Sequence, residues 1–113
     1  MEKKTLECMP VTTTLRVLGG KWKPLILYVI EQAQPVRFNE LHRQVTGITQ
    51  KMLTQQLREM QKDGLVSRKV FPEVPPRVEY SMTEYGESLS PVLRSMWNWG
   101  EKHRARTKTT KAI

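Results

Sequence analysis

The apolar residues change their period from helical to alternating at Gly64, and that switch restricts the fold more than any other feature of the sequence. In the stretch before Gly64 they recur at helical spacing; from there to Met82 they alternate. The last helical stretch, read from about Gln50 to Lys62, puts Leu53, Leu57 and Met60 on one stripe, flanked by Met52 and Gln56. Lys51, Thr54, Gln55, Arg58 and Lys62 fall on the opposite face. Thr49 can cap the first turn, and Gly64 after Asp63 is a stop. Amides, hydroxyls and cations are the groups that bond to base edges and phosphates, but a solvated surface helix would carry many of them too. The neighbouring elements decide between the two.

Upstream, Val11, Leu15 and Leu18, with Val17 beside them, fit a short helix that Gly19-Gly20 breaks. Pro24 suits the first turn of a second helix, whose Trp22, Leu25, Ile26, Val29 and Ile30 form a wide apolar face ended by Gln34-Pro35. Val36 to Phe38 read as extended. A brief helix follows from Asn39, a cap in this reading, to Val45, with Leu41 and Val45 facing inward. Two helices joined by the short turn Thr46-Gly47-Ile48 are a helix-turn-helix pattern, in which the second enters the major groove. Downstream, Leu65–Phe71 and Arg77–Met82 read as two strands around the proline-rich Pro72-Glu-Val-Pro-Pro76 loop, a stiff flap decorated by Arg68, Lys69 and Arg77. Thr83 caps a last helix, or Ser81 and Glu84 form its capping box; Pro91 kinks that helix or restarts it behind Ser90. The fold class is therefore α+β: a mostly helical winged helix-turn-helix with a two-to-three-stranded β-wing and N- and C-terminal helices.

A chain of 113 residues, 38% hydrophobic and 27% charged, makes one domain with one modest core. The patterned core spans residues 8–100 and a basic tail 101–113, either the frayed end of a helix or a disordered arm. Net charge is +8 and the pI is about 9.9, which points to a polyanionic partner, double-stranded DNA first. No apolar run approaches the ~20 residues of a membrane span, and the charged Met1–Pro10 segment holds no secretory core, which places the protein in the cytoplasm.

At this point the residues match a known family. The chain resembles the HxlR-type winged-helix transcriptional regulators of bacteria and archaea. The resemblance is carried by Gly19-Gly-Lys-Trp-Lys-Pro-Leu-Ile-Leu27, Arg37-Phe-Asn-Glu-Leu41, Gly47-Ile-Thr-Gln-Lys-Met-Leu-Thr54 and Leu57-Arg-Glu-Met60. It continues through Asp63-Gly-Leu-Val66, Val74-Pro-Pro-Arg-Val-Glu-Tyr80, Met82-Thr-Glu-Tyr-Gly86 and Trp99-Gly100. It implies a dimeric DNA-binding regulator with the first and last helices, N- and C-terminal dimerisation helices, at the dimer interface. In some members a cysteine next to a proline near the N-terminus senses quinones, aldehydes or oxidants; here the spacing is one residue longer, Cys8-Met9-Pro10. Because Cys8 is the one cysteine, members that join two different cysteines between subunits are not the model.

The recognition residues expected from this reading are Thr49, Gln50, Lys51, Thr54, Gln55 and Arg58. Gln pairs with adenine, Arg or Lys with guanine, and the Thr methyl with the thymine methyl. Arg37, Arg68, Lys69 and Arg77 are expected on the flanking backbone or in the minor groove. Leu15, Leu89, Val92, Leu93, Met96, Trp97 and Trp99 offer more apolar surface than one small winged domain needs, and a second copy is the simplest cover; completing the chain's own core is the alternative. Cys8 is an inert thiol, a redox or electrophile sensor favoured by Lys3 and Lys4, or, least, a nucleophile. His42 reads as a surface or phosphate contact and His103 as solvated. No paired-carboxylate, phosphate-loop or metal-ligand pattern supports an enzyme, a cofactor or a metal. Two other functions stay open: a protein-interaction module, whose binding would be insensitive to salt, and a nucleoid-like binder without base choice. No effector is identified.

Overall fold

The computed structural model describes residues 9–112, with side chains described to Lys108; Cys8 lies outside the described residues. The order is α1 (Pro10–Leu18), α2 (Lys23–Ala33), β1 (Val36–Arg37), α3 (Phe38–Gln44), α4 (Gln50–Lys62), β2 (Val66–Phe71), β3 (Arg77–Met82), α5 (Glu84–Glu87) and α6 (Ser90–Ala112). The three strands form an antiparallel sheet ordered β1-β3-β2. β3 is therefore central: Val36 lies opposite Tyr80 on one side, and Val66 opposite Met82 and Val70 opposite Val78 on the other.

The core is built where the helix stripes meet this sheet. Leu53, Leu57 and Met60 of α4 are fully buried with Ile26, Leu27 and Ile30 of α2 and Leu41 of α3. Burying each such side chain stabilises the fold by about 1.5–3 kcal/mol, so α4 is held mainly by this stripe. The sequence reading misplaces one position on α2. Leu25 is largely exposed and Leu27 is buried instead, because β3 and α3 pack against the other side of that helix.

Local chemistry sets the element ends. The Thr49 hydroxyl accepts from the Met52 amide at 3.0 Å and caps α4. Gly47 and Gly64 take φ of +92° and +78°, values that favour glycine, at the two turns flanking α4. Asn39 is no cap: α3 begins one residue earlier, at Phe38, directly after β1, with Arg37 as its N-cap residue. Thr83 rather than Ser81 caps the next helix, accepting from the Gly86 amide at 2.8 Å and donating to the Gly64 carbonyl at 2.5 Å. The last helical region is two elements. α5 is a single turn, and α6 restarts with Ser90 and Pro91 in its first turn. Ser90 donates to Glu31 of α2, and the Gln34 side chain at the end of α2 accepts from the Met82 amide at 2.8 Å. The basic segment after residue 100 continues α6 as helix to Ala112.

Candidate nucleic-acid interface

α4 presents its polar face between two concavities. One, of about 530 Å³, is lined by Phe38, Gln50, Lys51, Thr54, Gln55, Arg58 and Glu59. The second, of about 440 Å³, lies between α4 and the sheet, with Phe38, Thr54, Arg58, Gln61, Arg68, Val78 and Tyr80 around it. Thr54 and Arg58 line both, so helix and wing border one trough. Lys51, Arg58, Arg68 and Arg37 have no carboxylate partner among the described residues, leaving four cations for an outside anion.

The wing residues divide. Arg68 is exposed on β2 beside the trough. The Lys69 ammonium lies 4.9 Å from the centre of the Phe71 ring. Arg77 behaves differently from the sequence expectation. Its guanidinium packs over the same ring at 3.9 Å and pairs with Glu73 at 3.2 Å and Glu79 at 3.5 Å. A cation already neutralised twice and stacked shapes its own wing; to reach a phosphate it would have to abandon those contacts. Arg37 lies across a third concavity from the wing tip, which Val74, Pro75 and Pro76 form.

Three participants escaped the sequence reading. Phe38, extended chain by its sequence, starts α3, lines all three concavities and lies parallel to the His42 ring at 6.4 Å. His42, expected as a surface or phosphate contact, is half-buried. Its Nε2 lies 2.8 Å from the Ile48 carbonyl, which can only accept, so Nε2 carries the proton and ties α3 to the turn before α4. Glu59 brings an acid to a face that reads as nearly free of acids. The Lys23 ammonium, the buried charge among the described residues, sits 2.7 Å from it, and that hydrogen bond and charge, with a smaller contribution from Gln55, hold the Glu59 carboxyl below its ordinary value. The i, i+4 spacing of Gln55 and Glu59 was visible in the sequence; the reach of Lys23 from α2 was not.

The apolar residues assigned to an interface also divide. Leu93 is buried in the chain's own core and Leu89 packs against it, whereas Leu15, Met96, Trp97 and Trp99 are at least 47% exposed and Val92 37%. Trp97 stacks on Tyr28 with ring centres 4.8 Å apart, and Trp99 stacks on His103 at 5.0 Å. The described residues hold no cluster suited to a metal ion, and none of their helices is long and apolar enough to cross a membrane.

An HxlR-like helix-turn-helix family profile matches residues 17–108. The chain belongs to the HxlR-like family. YdeP of Bacillus subtilis (strain 168), an HTH-type transcriptional regulator, is 50% identical over 100 residues, covering 88% of this chain and 77% of YdeP. Among solved structures, the redox regulator HypR in its reduced form superposes with a TM-score of 0.83 at 48% identity, over 89% of this chain and 99% of that one. Diamide-treated YodB from B. subtilis superposes with a TM-score of 0.70 at 34% identity, over 87% and 96%. This HxlR-like chain is thus a helix-turn-helix transcriptional regulator, and the trough beside α4 is where its DNA-binding chemistry is to be sought.

Proposed function

We infer that this chain works as a homodimer that reads a near-palindromic operator, with one α4 in the major groove of each half-site. The observation that carries this reading is the placement of Gln50, Lys51, Thr54, Gln55 and Arg58 along one trough that also takes in Arg68 of the wing. Gln50, Lys51, Thr54, Gln55 and Arg58 meet base edges or nearby phosphates, and Thr49 sets the angle of the first turn. Arg37, Arg68 and Lys69 hold the flanking backbone, and Arg77 keeps the wing in shape. Two copies pack through α1 and α6, using Leu15, Val92, Met96, Trp97 and Trp99. The radius of gyration of 16.9 Å supports this, since a compact monomer of this length would have about 13 Å. A long α6 that overruns its own core needs a partner to cover it.

The test is selection of duplexes from a random pool by the purified protein at near-physiological salt. Enrichment of a near-palindrome is the expected result, with affinity falling steeply between ~50 and 200 mM salt. Binding without enrichment would replace this reading with a nucleoid-like role. Salt-insensitive binding to protein and none to DNA would replace it with an interaction module.

The signal is modification of the Cys8 thiol by an oxidant or electrophile. HypR and YodB have been described in reduced and in oxidised or diamide-treated forms, and Lys3 and Lys4 precede Cys8 closely in sequence, where cations would favour the thiolate, the reactive form. DNA release on electrophile treatment should disappear in Cys8→Ser. A variant that still responds would remove Cys8 from the mechanism.

A further inference from the structure

A carboxylate on a DNA-facing surface repels phosphates, so Glu59 needs a reason to line the same concavity as Gln50, Lys51, Thr54, Gln55 and Arg58. Its two oxygens have different partners. Oε1 takes the Lys23 ammonium at 2.7 Å, and Oε2 accepts from Gln55 Nε2 at 3.4 Å. Lys23 is 8% exposed and comes from α2, so the carboxylate is neutralised and anchored by an element outside the reading helix.

We propose that Glu59, held by Lys23, is a positioning residue that locks the sense of the Gln55 amide and makes Gln55 selective for adenine over guanine. The proposal rests on the reading of α4 as the recognition helix. A free glutamine amide is adaptable. It can offer its oxygen and one N–H to adenine, or turn its NH₂ toward the two acceptors of guanine. With one N–H engaged by Glu59, Gln55 has one acceptor and one remaining donor to offer. That pair matches the N6 donor and N7 acceptor of adenine and mismatches the O6 and N7 acceptors of guanine. Flipping the amide would set its oxygen against an anionic carboxylate, two acceptors face to face. The ion pair with Lys23 keeps the carboxylate charged and in place.

Glu59→Gln is the discriminating variant. With its carbonyl held by Lys23, a glutamine there turns its NH₂ toward Gln55 and takes the Gln55 oxygen instead, so the lock is reversed at nearly constant size. The measurement compares binding of the full chain to two duplexes from the selected site, one with A·T and one with G·C at the pair whose preference Gln55→Ala abolishes. The ratio of the two affinities cancels any general gain from removing a negative charge. Wild type should favour the A·T duplex on the order of tenfold, and Glu59→Gln should bring the ratio to one or below. If Glu59→Gln leaves Lys23 unpaired and unfolds the chain, the double variant Lys23→Met with Glu59→Gln removes both charges and is read in the same way. A ratio unchanged in a folded Glu59 variant, with Gln55→Ala still erasing the preference, overturns the proposal and leaves α4 as the recognition helix. If Gln55→Ala alters no base pair, the proposal falls together with the assignment of the reading face.

Discussion

Gly86 shows how little room a single residue can have. A Cβ built there would stand 2.0 Å from the Leu65 carbonyl oxygen, a backbone atom that cannot swing aside. Gly86→Ala must therefore push α5 off the strand entry and should lower stability by about 3 kcal/mol, the upper end for overpacking; urea denaturation of the two proteins checks it. Thr49 acts at the same scale. Its hydroxyl is the side-chain cap of α4, so Thr49→Ala should cost about 1 kcal/mol. DNA affinity should fall as well, because the frayed turn carries Gln50 and Lys51. A loss of stability with unchanged affinity would show that this turn does not contact DNA.

At the scale of elements, α4 is clamped from two sides. The Leu53–Leu57–Met60 stripe sits on the core, and Lys23 holds Glu59 from α2. The second clamp depends on pH. The Glu59 carboxyl is lowered in the folded state by its hydrogen bond and charge contact with Lys23, so folding favours its ionised form. That stabilisation is fully present above the ordinary Glu value of about 4.5 and is lost as pH falls through the lowered folded value. Urea midpoints measured from pH 7 to pH 3 should therefore fall less steeply in acid for Lys23→Met than for wild type. Equal slopes would mean that the pair contributes nothing to folding. The wing is clamped differently: Arg77 stacks on Phe71 and pairs with Glu73 and Glu79, so its rigidity comes from stacking and ion pairs as well as from proline.

For the whole molecule, the decisive feature is apolar surface without cover. Leu15, Met96, Trp97 and Trp99 remain substantially exposed although the core is complete without them. Trp99→Glu, at a position 67% exposed, should leave the monomer folded, shift sedimentation from dimer to monomer and weaken operator binding, since two half-sites no longer share one protein. Persistence of the dimer in this variant and in Met96→Glu would place the interface elsewhere. The HxlR-like family profile spans α4 and most of α6, so the matched residues include the polar face of α4 and Met96, Trp97 and Trp99 alike.

The sequence by itself determined the order and type of the elements, because periodicity, glycine stops, threonine caps and prolines act within a few residues of themselves. α4, its Thr49 cap, β3 and the restart at Pro91 were all legible for that reason. It also determined the polar composition of the face that α4 turns outward. What only the tertiary structure decided lies between elements. Leu25 and Leu27 exchange roles on α2, Leu93 joins the core while Trp99 stays outside, and Arg77 turns onto its own wing. His42 closes the turn before α4, and Lys23 reaches Glu59 across 36 positions of sequence. Helical periodicity says that a residue faces something, but not which neighbour fills that direction. A charged side chain finds its partner through space rather than along the chain.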